Sequence, residues 1–516
     1  MKKKSFIYST IVLIIANFLV RFLGFLYKVL LSRVLGSEGI GLFHLVFHVF
    51  LVLITITSSG IPIAVSKIIA QKMIQKNYRE CKKTLFISTI LGLFLSVILC
   101  ILTFKNLEFL TTYIIKSDKL SKSLVALLPA IPIVTLSSIL RSYFYGLKDV
   151  MPSARAQIVE QFVRVFFVIG ILHVFEPTDL KLSVMIATLG ITVGEIGGLI
   201  ILIFKLKSFN VRTSKIRSNI GDFTSSASIL WQIISISFPT TIAKLVSVLM
   251  QSANMFLVPH RLQVAGYSLE QSVTKFGEVV GMTMPLLFLP FIVTSALVVN
   301  LIPNISAENA LMRSTSIESK SILALRVALL ISIPVAFIFF FFAMPICSFL
   351  YNKPSVGIYL RYLAASIIFL SLHHIIGGIL HGLGKQVLTT INYLIGMSIH
   401  LVCIYYLVSI PRLGINGFII GFMISSFIIF LLNLSTLKYF MSIKIKFLKH
   451  IVSPLMSAIV MIVVIILSNK YLIYIGFPIG VSVLIPTLIG GLIYLLCIIM
   501  TGSVKLKTIK YIFSFQ

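Results

Sequence analysis

The stretch ANFLVRFLGFLYKVLLSRVLG, residues 16–36, decides how the chain is read. It is apolar on nearly every side, yet Arg21 and Lys28 stand in its middle. Asn17, Arg21, Gly24 and Lys28 follow one another at intervals of 4, 3 and 4 residues. At about 100° per residue they share one face of a helix, and Phe18, Leu19, Phe22, Leu23, Phe25 and Leu26 cover the other faces. The result is a narrow cationic stripe on an apolar body. A charged side chain at the centre of a bilayer costs about 2.5–3.5 kcal/mol on insertion scales. Two on one face point to a partner or a wet cavity rather than to acyl chains. The plainer reading is that Lys28 snorkels outward and Arg21 pairs with a buried glutamate.

The rest of the chain is of the same kind. Hydrophobic residues make up 58% of the 516 and charged residues 11%, and the mean hydropathy is +1.08. Apolar runs of 18 or more recur along the whole length, too long and continuous for barrel strands, so the expectation is an all-α polytopic membrane protein. We place about fourteen spans, the first two near 7–31 and 40–65 and the last two between 450 and 500.

A formal charge of +30 would suggest nucleic acid in a soluble protein. Here the positive-inside rule accounts for it, and no nucleic-acid partner is expected. With Lys2, Lys3 and Lys4 inside, the inner loops collect the basic clusters. Six Lys and Arg lie between Lys67 and Lys83, five between Lys205 and Arg217, and further lysines follow at Lys438–Lys449 and Lys505–Lys510. Both termini are then cytoplasmic. Within the spans this reading leaves five cations, Arg21, Lys28, Arg141, Arg164 and Lys244, against two acids, Glu160 and Glu195. Five scattered cysteines without a CxxC pair read as apolar filler, not as a disulfide framework. The first span is too long for a signal-peptide core and lacks a small-residue cleavage site.

A weak duplication runs through the sequence. TSSGIPIAVSKIIAQ (57–71) and TSALVVNLIPNISAE (294–308) stand at an offset of 237, and FYGLKDVMPSA (144–154) and LHGLGKQVLTT (380–390) at 236. Six helices per half keep both halves in the same sense across the membrane. The expected organisation is therefore an N-terminal six-helix lobe (1–210), a C-terminal six-helix lobe (225–440) related by a parallel pseudo-repeat, and two further helices (450–500). Transporters built this way hold their substrate between the halves.

The first span superposes on the seventh at an offset of 223, where Arg21 meets Lys244 and Lys28 meets Gln251. Thr240, Lys244, Ser247, Gln251 and Asn254 again run along one face. A surplus of cations over acids suits an anionic ligand, and guanidinium and ammonium together suit a diphosphate. Candidate substrate-binding residues are Arg21, Lys28, Lys244, Asn17, Gln251, Arg164 and Glu160, although Arg164 and Glu160 also form an i,i+4 pair. His44 and His48 in span 2, and His373, His374 and His381 in span 10, read as cavity lining or packing, since no carboxylate or cysteine accompanies them as a metal ligand would require. Gly190, Gly194 and Gly198 read as a helix-packing stripe. There is no P-loop, HExxH or GxSxG and no outer carboxylate pair, so no cofactor, metal or enzymatic role is expected.

The run NFLVRFLGFLYKVLLSRVLGSEGIGLF (17–43) resembles the first-helix signature of the multidrug/oligosaccharidyl-lipid/polysaccharide exporter superfamily. SGIPIAVSKIIAQ (59–71), YGLKDVMPSARAQIVEQFVRV (145–165) and MPLLFLPFIVTSALVVNLIPNISAENA (284–310) extend the resemblance along the chain, toward its lipid II flippase and sporulation branch. It implies a secondary transporter that moves lipid-linked saccharides across the bacterial cytoplasmic membrane, with a role in spore cortex peptidoglycan. In the flippases a central cavity lined by arginines receives the lipid diphosphate. Arg21 matches the first of these. The second falls on Tyr27, one position before Lys28, and those of helices 2 and 8 have no match at Thr55–Ser59 and Pro285–Leu287. The expected partners are a lipid-linked saccharide and membrane lipid. Rival readings are a membrane scaffold for cortex-synthesis enzymes and a cation-coupled drug exporter, the latter disfavoured by Arg21 where an acid belongs. The sequence leaves the oligomeric state open.

Overall fold

A computed structural model of the chain describes residues 6–75, 77–115, 120–175, 177, 179–213, 225–441 and 451–501. Among them there are long apolar helices and no strands. We number the principal ones α1 (Phe6–Ser58), α2 (Gly60–Ile74), α3 (Tyr78–Lys105), α4 (Ser121–Gly146), α5 (Met151–Phe175), α6 (Leu180–Thr213), α7 (Ser226–Val264), α8 (Phe291–Ala310), α9 (Ser314–Phe341), α10 (Val356–Leu363 and Ser366–Gly382, bent by 51°), α11 (Gln386–Leu407), α12 (Ile415–Phe440), α13 (Ser453–Tyr474) and α14 (Ile479–Met500).

Twelve helices among the described residues are long and apolar enough to cross a membrane, or thirteen with the bent pair taken as one span. The first of them, Phe18–Ile74, has 57 residues. Unbroken it would measure about 85 Å at 1.5 Å per residue, far beyond a hydrocarbon core of about 30 Å. It is broken at Gly36, whose φ of 68° and ψ of −174° belong to a region open only to glycine. Two crossings therefore share this segment, and the fourteen-span reading stands. The chain is a multi-pass membrane protein.

Two compact units divide the molecule, Met1–Phe256 and Leu257–Gln516. The division falls inside α7, and packing accounts for it. Ile229 and Ile233 of α7 are fully buried against Ala64 and Ile68 of α2. A Cβ on Gly60 would collide with the carbonyl oxygen of Ser237 and the hydroxyl of Thr241. The first half of α7 is thus held by α2 and belongs to the first unit.

Each unit is built around the same core. In the first, Val65, Ile69, Ile139, Leu140, Tyr143 and Phe144 are packed together. Each stands 236 residues before its counterpart in the second unit: Leu301, Ile305, Ile375, Ile376, Ile379 and Leu380. Gly146 closes α4 with its Cα side 2.8 Å, measured from an ideal Cβ, from Ile69, and Gly382 closes α10 at the same distance from Ile305. Any larger residue would push these helices apart. The loop after α2 is crossed by an ion pair between Lys72 and Glu80 at 2.5 Å, and the loop after α8 by one between Glu308 and Lys320 at 2.7 Å. Lys72 and its counterpart Glu308, 236 residues on, thus each anchor an ion pair, with opposite signs. Asn77 caps α3 by accepting from the Glu80 amide at 3.2 Å, which fixes the start of the third helix. The basic clusters at Lys2–Lys4, Lys215–Arg217, Lys444–Lys449 and Lys505–Lys510 lie outside the described residues.

Candidate functional site

Four buried charges on three helices of the first unit neutralise one another. The Arg141 guanidinium on α4 donates to Oε2 of Glu160 on α5 at 2.9 Å and to Oε2 of Glu195 on α6 at 3.1 Å. Arg164 on α5 donates to the other oxygen of Glu160 at 2.7 Å. Their side chains are 8–17% exposed. Close packing of α5 on α6 makes this approach feasible: Gly190, Gly194 and Gly198 sit against Val168, Arg164, Glu160 and the Ala156 carbonyl. The glycine stripe therefore has a packing role, and it also brings Glu195 beside the arginines. Arg141, one of the five cations counted within the spans, is the centre of the cluster.

Both span glutamates are engaged there. Arg21 is exposed on the first arm of α1. Lys28, two turns on, also exposes its side chain and has no ion-pair partner among the described residues. Gly24 between them leaves room for Gln161 of α5, whose Oε1 comes within 3.9 Å of an ideal Cβ at that glycine. Asn17 is helical, and its side chain lies outside those described. Lys28 and His44 stand eight residues either side of Gly36, where the helix is kinked.

On α7, Lys244 and Gln251 are exposed, and Lys244 has no ion pair among the described residues. Ser247 donates to the Ala243 carbonyl at 3.4 Å, and Thr240 to Ile236 and Ser237 at 2.9 Å. Asn254 is fully buried, with neither amide atom hydrogen-bonded. Arg21, Lys28 and Lys244 all fall in the unit Met1–Phe256.

One further cation was missed. Arg326 lies twelve residues inside α9, half-buried, with its Nε lacking a partner among the described residues. Its position in an apolar run was readable, but it was left out of the cations counted within the spans. In the second unit, His374 hydrogen-bonds Thr294 at 3.1 Å and stacks on Phe291 at 5.0 Å, and His381 bonds Thr389 at 2.9 Å. These are packing histidines. No group of three His, Cys, Asp or Glu among the described residues is placed to hold a metal ion, and all five cysteines are free thiols.

Comparison with known proteins agrees with this architecture. The profile of the polysaccharide biosynthesis protein family matches residues 6–307. The chain is 27% identical over 456 residues to stage V sporulation protein B of Bacillus subtilis (strain 168), covering 88% of this chain and 87% of that protein. It is 24% identical over 526 residues to lipid II flippase MurJ of the same organism, covering 95% and 94%. Among solved structures, the inward closed conformation of lipid II flippase MurJ superposes with a TM-score of 0.70 over 94% of this chain and 97% of that one, at 18% identity. An inward-facing multidrug resistance MATE family transporter of the MOP superfamily gives 0.65 over 81% and 94%, also at 18% identity. At these identities the structural matches establish the fold.

Proposed function

The chain belongs to the polysaccharide biosynthesis protein family, and on that premise we propose that it is a flippase for a lipid-linked anionic saccharide. The observation that carries this reading is the distribution of charge. The two glutamates of the spans are taken up by Arg141 and Arg164, while Lys28 and Lys244 keep exposed ammonium groups with no carboxylate partner among the described residues. Charges of this kind inside a span are retained for an anionic ligand or an aqueous path. A diphosphate supplies the missing counter-charge. Arg21 and Lys28 hold it, Lys244 and Gln251 add to the site along α7, Asn17 lengthens the polar stripe, and Arg164 and Glu160 set the wall behind Gln161. The polyprenyl tail stays in lipid while the headgroup crosses, and both termini face the cytoplasm. Similarity to stage V sporulation protein B and MurJ of Bacillus subtilis favours a peptidoglycan precursor, used during sporulation, as the cargo.

The reading is tested in proteoliposomes that carry a polyprenyl-diphosphate saccharide, with headgroup exposure on the far leaflet followed by a membrane-impermeant probe. Wild-type protein raises exposure, and Lys28→Glu, recovered with a native melting profile, reduces it to the protein-free rate. Undiminished flipping by that variant would overturn the assignment.

A further inference from the structure

Helices α3 and α6 both pack on α4, and the three enclose a crevice of about 320 Å³, near the lower end of the range of ligand pockets, about 300–1,000 Å³. Leu136 and Leu140 of α4 and Leu206 of α6 line it. From α3 come Lys82, Leu85, Phe86 and Thr89, whose i, i+3, i+4, i+7 spacing puts them on one face of that helix. Lys82 stands in the second turn of α3, which begins at Tyr78, and Leu206 stands at the end of the apolar run Leu180–Lys207 of α6. The crevice therefore starts at the membrane surface and runs inward. From Lys82 to Thr89 it follows about 10 Å of helix, within the depth of one leaflet, half of a hydrocarbon core of about 30 Å.

The charge at its mouth has one sign. Lys82 is half-buried and has no ion-pair partner among the described residues. Glu80, the acid in the first turn of α3, is engaged by Lys72. Leu206 stands between Lys205 and Lys207 in the sequence, the first half-buried and the second exposed. Apart from Lys82 and Thr89 the lining is aliphatic or aromatic. A free phosphate would use the ammonium and none of the apolar wall. An uncharged chain would use the wall and leave the ammonium unpaired. A phospholipid with a net negative headgroup uses both, whereas the quaternary amine of a zwitterionic lipid would meet the same lysines with like charge.

We propose that this crevice binds an anionic phospholipid of the leaflet bounded by the basic loops at 67–83 and 205–217, with its phosphate on Lys82 and one acyl chain lying along Phe86 toward Thr89. The positive-inside rule makes that the cytoplasmic leaflet, where basic pockets between spans pair with anionic headgroups. The proposal goes beyond the flippase reading and does not depend on it, since it uses no residue of the polar stripes on α1 and α7.

The test places a single fluorescent reporter in the crevice. Trp231 is the one tryptophan of the chain, so Trp231→Phe gives a silent background, and Phe86→Trp replaces an exposed ring with an indole. Full-length protein is reconstituted in vesicles of phosphatidylcholine and phosphatidylglycerol, one or the other carrying brominated acyl chains that quench the indole on contact. Mole for mole, phosphatidylglycerol quenches at position 86 with about fivefold preference, the factor one lysine near the surface supplies. Lys82→Gln, with an unchanged melting profile, brings the preference to parity, and Lys82→Arg keeps it. A reporter introduced by Phe166→Trp, at an exposed ring on α5, shows no preference. Equal quenching by the two lipids at position 86 with Lys82 in place overturns the inference. So does a loss as large for Lys207→Gln as for Lys82→Gln, which means a diffuse surface field rather than a seated lipid. Displacement of brominated phosphatidylglycerol by undecaprenyl phosphate at lower mole fraction than by unlabelled phosphatidylglycerol assigns the crevice to an isoprenoid lipid and also overturns it. The flippase reading is decided separately, by the flipping assay on Lys28→Glu.

Discussion

Glu160 accepts from two guanidinium groups at once, one oxygen for Arg141 and the other for Arg164. Removing its charge leaves two buried cations facing Glu195 alone. Breaking a buried pair from one side costs about 3–5 kcal/mol, so Glu160→Gln lowers the melting temperature in detergent sharply, while Arg155→Gln on an exposed turn of the same helix leaves it near wild type. The i,i+4 pairing of Glu160 with Arg164 was legible in the sequence because helical periodicity alone decides it. The contribution of Arg141 and Glu195 was not, because it depends on how three helices pack. Arg326 was a different kind of miss, a residue in plain view inside an apolar run that the count of span cations left out.

At the scale of helices, α2 is the anchor for α7. Gly60 allows the Ser237 carbonyl and the Thr241 hydroxyl to touch its backbone, and Ala64 and Ile68 receive Ile229 and Ile233 one and two turns further on. Past Thr241, α7 exposes most of its residues as far as Gln251, including Lys244. A methyl group at position 60 must displace a backbone oxygen, which cannot swing aside as a side-chain tip does. Gly60→Ala therefore shifts α7 and lowers flipping in the proteoliposome assay. Gly170→Ala, where an ideal Cβ meets nothing within 4 Å, leaves flipping unchanged. The repeat was readable at this scale because Gly146-Leu147 and Gly382-Leu383 are demanded by the same close contact in each unit. Six core positions at one constant offset show that the correspondence extends through the packed interior. What α7 packs against was not readable, since the polar linker at 205–228 looks the same whichever helix receives Ile229 and Ile233.

For the whole molecule, the consequence of the charge distribution is electrical. In the proposed flippase cycle the cations remain with the protein, and the diphosphate leaves with the lipid. If the loaded step is nearly neutral because the anion sits among Arg21, Lys28 and Lys244, the return of the empty carrier moves positive charge inward. If the loaded step is not neutral, it moves negative charge outward. Either way a complete cycle exports negative charge, and an inside-negative potential assists it by about 2.3 kcal/mol per unit charge per 100 mV. A potassium diffusion potential set by valinomycin, negative on the side from which substrate departs, should accelerate flipping in proteoliposomes, and reversing the gradient should slow it. Lys28→Gln and Lys244→Gln reduce the charge of the returning carrier, so each should flatten the dependence on potential as well as weaken binding. Rates indifferent to the sign of the potential would mean that protons or cations accompany the cargo one for one, a form of coupling the lysine-lined site gives no reason to expect.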